Sequence, residues 1–181
     1  MQLSRCIDMK YIFKLFMAIN SIMIIGIVYS ANNQVFLIQG NGLISILFYA
    51  GAAVFGAVIC LLCCSKLSED EICGGIVSVE LANDSYLPCY LGYFFVALSI
   101  KDYFTLVVAI SIILIFLICS QNLFYNPLFL LFGYKFYHII GNSNRKILII
   151  SKKDIRDVNG LQFTKLRRIN NYTFIDSEGY S

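Results

Sequence analysis

Apolar and polar residues are segregated along this chain, with long apolar runs first and short alternating runs after them. Four apolar runs predict membrane-spanning helices, because about 20 helical residues cross a hydrocarbon core roughly 30 Å thick. These runs cover residues 11–29, 43–64, 87–100 and 103–119. The first is interpreted as a retained helix, with a signal peptide as the alternative. Asn20 and Ser21 near its middle are expected to contact another helix rather than lipid. The last two predict a helical hairpin, with a re-entrant hairpin as the alternative, because the first arm is short for a span.

The predicted fold class is an integral membrane all-α bundle of four transmembrane helices with a small cytosolic β-rich C-terminal domain. The bundle covers residues 1–120 and includes a cytosolic loop at residues 65–86, whose acidic run Glu69-Asp70-Glu71 is interpreted as solvated. The β domain covers residues 141–181. An aromatic segment at residues 121–140 joins the two parts, because aromatic rings with one polar end favour the headgroup level of a bilayer.

Four residues of the aromatic segment form a candidate junction between the bundle and the β domain. Pro127 lacks a backbone donor and disfavours helical backbone at Asn126, so the last predicted span ends or bends there. Residues 128–132 are too few to cross a membrane, and we expect them to lie along its inner interface. Gly133 then permits the turn into the first cytosolic strand. The junction set is Asn126, Pro127, Gly133 and Tyr134.

The tail has the pattern of a small β-sheet. Residues 135–140 and 146–151 flank a loop rich in turn-forming residues, which predicts a β-hairpin. Residues 161–169 and 172–176 predict two further strands. Residues 75–81, GIVSVEL, show the same alternation before the third apolar run. Since a lone strand is unstable, we expect residues 75–81 to pair with the tail.

Composition and charge favour a membrane protein with a basic cytosolic part. Hydrophobic residues make up 59% of the chain and charged residues 14%, against about 45–50% and 25% in soluble proteins. With both termini in the cytosol, Lys101 alone among the Lys and Arg residues is outside, as the positive-inside rule favours. The basic residues of the tail are candidate contacts with anionic lipid or a protein partner, and direct nucleic-acid binding is not expected. They are Lys152, Lys153, Arg156, Arg167 and Arg168.

Small residues recur at four-residue spacing in the second apolar run. Ala52 lies four residues before Gly56, and Ala53 lies four residues before Ala57. Small side chains at this spacing allow two helix backbones to approach closely. The pattern predicts helix packing, either within the bundle or between subunits of a homo-oligomer.

The sequence offers little that could carry out catalysis, and the chain is predicted to be no enzyme and to use no cofactor or metal. His138 is the single histidine, and we interpret it as a structural residue of a strand. The seven cysteines lack the paired CxxC spacing of zinc sites and are interpreted as small apolar residues. S-palmitoylation of Cys63 or Cys64 at the membrane edge is the alternative.

Two stretches carry a resemblance to a known family. They are ELANDSYLPCYLGYFFVALSI at residues 80–100 and NPLFLLFGYKFYHI at residues 126–139. In this order they resemble the membrane subunits of Kiwa antiphage defence systems, the KwaA family. Both motifs are structural, so the resemblance carries over no catalytic residue.

The resemblance implies a membrane sensor and scaffold in the bacterial inner membrane. Such a protein would form homo-oligomers and hold a cytosolic DNA-binding partner, a KwaB-like protein, on its cytoplasmic side. Two alternatives come from other classes of protein. One is a small oligomeric channel or transporter, and the other is an accessory or immunity membrane protein.

Overall fold

A computed structural model describes residues 2–38, 40–65, 67–72, 76–119, 126–141, 145–155, 161 and 163–177. Within these residues the chain forms five helices and six strands. The helices are α1 (Gln2–Asn32), α2 (Gly42–Cys64), α3 (Asn83–Ser99), α4 (Tyr103–Cys119) and the short α5 (Leu128–Leu131). The strands are β1 (Glu69–Ile72), β2 (Ile76–Leu81), β3 (Lys135–Gly141), β4 (Lys146–Ser151), β5 (Phe163–Arg168) and β6 (Thr173–Asp176).

The predicted all-α bundle of four transmembrane helices is wrong. In the described part of the chain, two helices are long and apolar enough to cross a membrane, at Ile12–Asn32 and Gly42–Cys64. The apolar stretches of the other two, Leu87–Ser99 and Tyr103–Cys119, are shorter. Seventeen helical residues extend about 25 Å, less than a hydrocarbon core of roughly 30 Å. Apolar composition alone does not separate a span from a shorter packed helix.

The sheet is mixed and has the strand order β1-β5-β6-β4-β3-β2. The predicted hairpin of β3 and β4 is confirmed, with Phe136 opposite Ile150 in antiparallel register. The predicted pairing of the strand before the third apolar run is also confirmed, because β2 lies antiparallel to β3 with Val79 opposite Ile139. The parallel pair is β4 and β6. The sheet domain therefore combines the C-terminal part of the chain with strands from the segment between α2 and α3.

The strand β1 was not expected from the sequence. The acidic run was interpreted as solvated, and the Glu69 side chain is 68% exposed, but the backbones of Glu69 and Asp70 pair with Arg167 and Leu166 of β5. A carboxylate oxygen of Glu69 lies 2.6 Å from Nη2 of Arg167. Opposite charges on facing strands stabilise the pair in place of apolar alternation, so hydrophobic periodicity gave no signal here.

Chain length requires the sheet to be curled. Ile72 ends the edge strand β1 and Ile76 begins the opposite edge strand β2, so the two Cα atoms are at most about 15 Å apart. Six strands laid flat would separate the edges by about 24 Å. One face of the sheet holds a core of its own. Its buried residues are Tyr137, Ile139, Ile149, Phe163, Leu166 and Phe174.

The other face of the sheet packs against the helices. Phe136 and Ile150 belong to the same buried cluster as Met17 of α1, Cys60 of α2 and Phe129 of α5. Independent domains would have separate cores, whereas α1, α2, α5 and the sheet share one buried cluster.

At the end of α1 far from the sheet, two asparagines hold the α3–α4 turn. Asn32 Nδ2 donates a hydrogen bond to the carbonyl of Leu98 over 3.1 Å, and Asn33 Nδ2 donates to that of Ile100 over 3.0 Å. These bonds satisfy carbonyls at the C-terminal end of α3 that have no helical partner. The turn is thereby fixed to α1.

The helices expose many large apolar side chains on their outer faces. Exposed apolar patches of this kind mark membrane or protein contacts, because soluble monomers seldom carry them. Together with the two apolar helices, they indicate membrane association. The most exposed include Ile12, Leu43, Leu47, Phe55, Leu62, Phe95, Phe104 and Phe116.

Candidate functional site

The junction between helices and sheet is built around Asn126, which is completely buried. Its Oδ1 accepts a hydrogen bond from the backbone N–H of Leu128 over 3.0 Å, and its carbonyl accepts from that of Phe129 over 3.1 Å. An asparagine side chain bonded two residues ahead makes a local turn. Pro127, with φ −63°, provides the helical backbone that begins α5 without leaving an N–H unsatisfied. Asn126 and Pro127 together start α5 at a fixed angle.

The amide of Asn126 also connects three segments of the chain. Its Nδ2 donates to Oδ1 of Asn20 over 2.7 Å, and Asn20 Nδ2 donates to the carbonyl of Ala53 over 2.9 Å. Asn20 lies in α1 and is 2% exposed. Leaving a buried polar group unsatisfied costs about 1–3 kcal/mol. We call Asn20, Asn126 and the Ala53 carbonyl the asparagine relay, because they link α1, α2 and the junction.

The small-residue stripe of α2 makes room for the asparagine relay. A Cβ atom at Gly56 would clash with Nδ2 of Asn20. Ala53 and Ala57 are buried, whereas Ala52 is exposed. Three of the four predicted packing residues thus lie on the side of α2 that meets α1 within one chain. Contact with a second subunit through this stripe remains a prediction.

The other junction residues turn the chain from α5 into β3. Gly133 has φ +78°, a left-handed backbone that favours glycine. Tyr134 is buried with its ring centroid 6.0 Å from that of Phe129. The Nζ of Lys152 lies 5.0 Å from the centroid of the Tyr134 ring, a distance at which cation and ring attract. Lys152, a predicted surface contact, therefore lies beside the junction.

The remaining predicted basic contacts that the structure describes each have a partner within the sheet domain. Arg167 contacts Glu69, as described above, and Lys153 Nζ lies 3.8 Å from a carboxylate oxygen of the buried Asp176. Arg168, on the opposite side of β5 from Arg167, donates to Oδ1 of Asn171 over 3.0 Å. Arg156 lies outside the described residues. These ion pairs and hydrogen bonds connect residues of the sheet domain. Contact of the same side chains with lipid or a partner stays a prediction.

Of the two asparagines in the relay, only Asn20 was predicted to make a contact with another helix. A polar Asn20 in an apolar run predicted a contact with another helix, and the bond to Ala53 confirms it. The partner Asn126 was singled out for its position before Pro127 and not for its side chain. The two asparagines are 106 residues apart in sequence. The sequence signal that could have indicated this pair was Asn126 itself, a second isolated asparagine beside an apolar run.

His138 lies in β3 and is 5% exposed. Burial lowers its pKa from the ordinary value near 6.5, and the charge of Lys146 lowers it further, while Glu80 acts in the opposite direction. The folded protein therefore favours the neutral imidazole. In the described part of the chain, no group of three His, Cys, Asp or Glu residues is placed to hold a metal ion.

The lowered pKa of His138 predicts a pH-dependent stability. Below about pH 6.5 the unfolded chain binds a proton that the folded chain resists, so the free energy of unfolding decreases as pH falls. Thermal unfolding in detergent between pH 7.5 and 5 should show a falling Tm. The slope in this window should be smaller for His138→Gln. An unchanged slope in this variant would assign the pH dependence to other groups.

Apolar helices that share one core with a curled sheet define a small membrane-associated protein with a polar β domain. A family model for the anti-phage protein KwaA matches residues 13–175. The chain belongs to this family of anti-phage defence proteins, as the resemblance at residues 80–100 and 126–139 implied. Neither the curated proteins nor the solved structures that were compared include a match to the chain.

Proposed function

We propose that the chain is a non-enzymatic membrane sensor and scaffold of an anti-phage defence complex, which recruits and controls a cytosolic DNA-binding partner. The observation that carries the proposal is the shared core of α1, α2 and the sheet. A protein that reports a change in the membrane to the cytosol needs such a continuous packed connection. Membership of the KwaA family supports the role in defence.

The proposed placement is the bacterial inner membrane, with a multi-pass topology and both termini in the cytosol. α1 and α2 cross the membrane in opposite directions, and the sheet domain that follows α2 lies in the cytosol. The α1–α2 loop, residues 33–41, then lies outside. This orientation keeps the basic residues of the tail on the side that the positive-inside rule favours.

The proposed mechanism is a shift between two arrangements of α1 against α2. A signal can change partner binding only if the two arrangements differ in their affinity for the partner. The asparagine relay joins α1 and α2 to Asn126, and Asn126 leads through α5 into β3. A change in the packing of α1 on α2 would therefore alter the position of β3. Homo-oligomer formation, with subunits meeting on the exposed apolar faces, is part of the proposal.

Partner recruitment is tested by purifying the tagged full-length chain in mild detergent and detecting a soluble protein encoded beside it. The exposed Lys152 and the half-buried Arg168 are the proposed contacts, and the double variant Lys152→Ala with Arg168→Ala should recover much less partner. The matched control is Lys101→Ala, which removes a charge at the α3–α4 turn, far from the sheet, and should leave recovery unchanged. Full recovery with the double variant, or equal loss with the control, would contradict this docking surface.

A further inference from the structure

A cleft lies between the end of α2 and the last two strands of the sheet. Its volume is about 270 Å³, enough for a headgroup or part of an acyl chain and less than the roughly 300–1,000 Å³ of sites for drug-sized ligands. Leu61, Leu62 and Ile175 provide apolar walls, while Ser65, Arg167 and Ser177 add polar groups. The cleft is thus amphipathic, with a single guanidinium at its polar end.

The polar end of the cleft is suited to an anion. Arg167 Nη1 donates to the carbonyl of Leu67 over 2.9 Å, and Nη2 contacts Glu69, but Nε is buried and has no partner among the described residues. The Glu69 side chain is 68% exposed, so solvent weakens its hold on Arg167. Lys165 is exposed and lies two residues before Arg167, on the same side of the strand. Arg167 and Lys165 thus lie near two carboxylates, Glu69 and Asp176, and that of Asp176 accepts from Ser151 Oγ and is paired with Lys153.

The apolar end of the cleft is continuous with the outer surface of α2. Leu62 is 62% exposed and belongs to the same exposed face as Phe55, which is 66% exposed. α2 ends at Cys64, directly before Ser65. On the proposed topology this is the level at which the acyl chains of the inner leaflet meet their headgroups. An amphiphile could enter the cleft from the membrane without leaving the bilayer.

We propose that this cleft binds a membrane phospholipid, with its phosphate at Arg167 and the start of one acyl chain along Leu61 and Leu62. The proposal rests on the membrane placement given under the proposed function. Guanidinium groups match the geometry of phosphate oxygens, and the Arg167 side chain is 21% exposed. Lys165 favours a lipid with net negative charge over a zwitterionic one. A lipid in this cleft would contact both α2 and β6.

The test uses the purified full-length chain in detergent and native mass spectrometry with added phosphatidylglycerol. One lipid should remain bound to each wild-type chain, and phosphatidylcholine should be retained less. Arg167→Gln should reduce retention about tenfold, the loss expected for one strong charge-assisted contact. Arg168→Gln is the matched control, because it removes the same charge from the other side of β5. Leu62→Trp should reduce retention by filling the apolar end at an exposed position.

Equal retention by the Arg167→Gln and Arg168→Gln variants would overturn the proposal, as would normal retention by Leu62→Trp. Displacement of the lipid by millimolar inorganic phosphate would also overturn it, because it would identify an anion site without an acyl chain. The membrane fraction of wild-type cells is assayed in parallel by flotation. Absence of the chain from floated membranes would contradict the proposed function, whereas a membrane-bound chain without variant-dependent lipid retention would contradict the cleft alone.

Discussion

Gly56→Ala is expected to lower the free energy of unfolding by about 1–3 kcal/mol, the range for adding a methyl group to a packed interior. The added Cβ would clash with Nδ2 of Asn20, the atom that donates to the Ala53 carbonyl. α1 and α2 must then separate, or Asn20 must rotate and lose its partner. Thermal unfolding of the purified variant in detergent should show this as a lower Tm.

Gly51 provides the control for this experiment. It lies in the same helix, and a Cβ at Gly51 would meet no heavy atom within 4 Å. Alanine stabilises a helix interior by about 0.5–1 kcal/mol relative to glycine, so Gly51→Ala should leave Tm unchanged or raise it. If both substitutions shift Tm equally, the close approach of α1 at Gly56 is incorrect.

Removing either asparagine of the relay should give the second large decrease in the free energy of unfolding. Asn126→Leu leaves Oδ1 of Asn20 without its donor, and Asn20→Leu leaves Nδ2 of Asn126 without its acceptor. Each single substitution should cost about 1–3 kcal/mol, because a buried polar group loses its partner. The double substitution should cost clearly less than the sum, because both polar groups are then absent. A double-mutant cycle measures this difference as a coupling free energy.

Groups in contact show coupling of about 0.5–3 kcal/mol in such cycles. The exposed Asn171 gives a matched control, and combining Asn171→Leu with Asn126→Leu should give additive costs. Additive costs for Asn20 and Asn126 would mean that the two side chains do not interact in the folded chain.

The elements predicted correctly from the sequence are those with a strong local pattern. β3 and β4 alternate around a loop rich in turn-forming residues, and α2 is a continuous apolar run. Gly133 was predicted to turn the chain and has the positive φ that requires glycine. In each case the signal lies within a few residues, so no knowledge of distant contacts was needed.

The features that could not be predicted depend on distant partners. β1 is a strand that pairs with β5 through its backbone, and an acidic run alone gives no sign of this partner. The asparagine relay joins residues far apart in sequence, and its geometry needs Gly56 as well. The number of spans was overestimated, because hydropathy does not report helix length. α4 is apolar throughout, whereas α3 begins with Asn83-Asp84-Ser85, and both helices have 17 residues, as the short apolar runs at residues 87–100 and 103–119 indicated.

The shared core also explains the position of the aromatic segment, residues 121–140, after α4. Phe129, Tyr134 and Phe136 are buried together with side chains of α1 and α2. Their rings thus fill the space between helices and sheet, where the sequence predicted an interfacial belt. The segment contributes packing in addition to any contact with headgroups.

We expect the apolar helices and the sheet to respond as one unit. Hydrogen–deuterium exchange of the chain in lipid nanodiscs, comparing wild type with Gly56→Ala and Gly51→Ala, tests it most directly. Gly56→Ala should speed exchange in α1 and α2 and also at the β3 amides of Phe136 and Ile139, while Gly51→Ala changes neither. Faster exchange confined to the helices, with β3 as protected as in wild type, would contradict coupling between membrane and sheet.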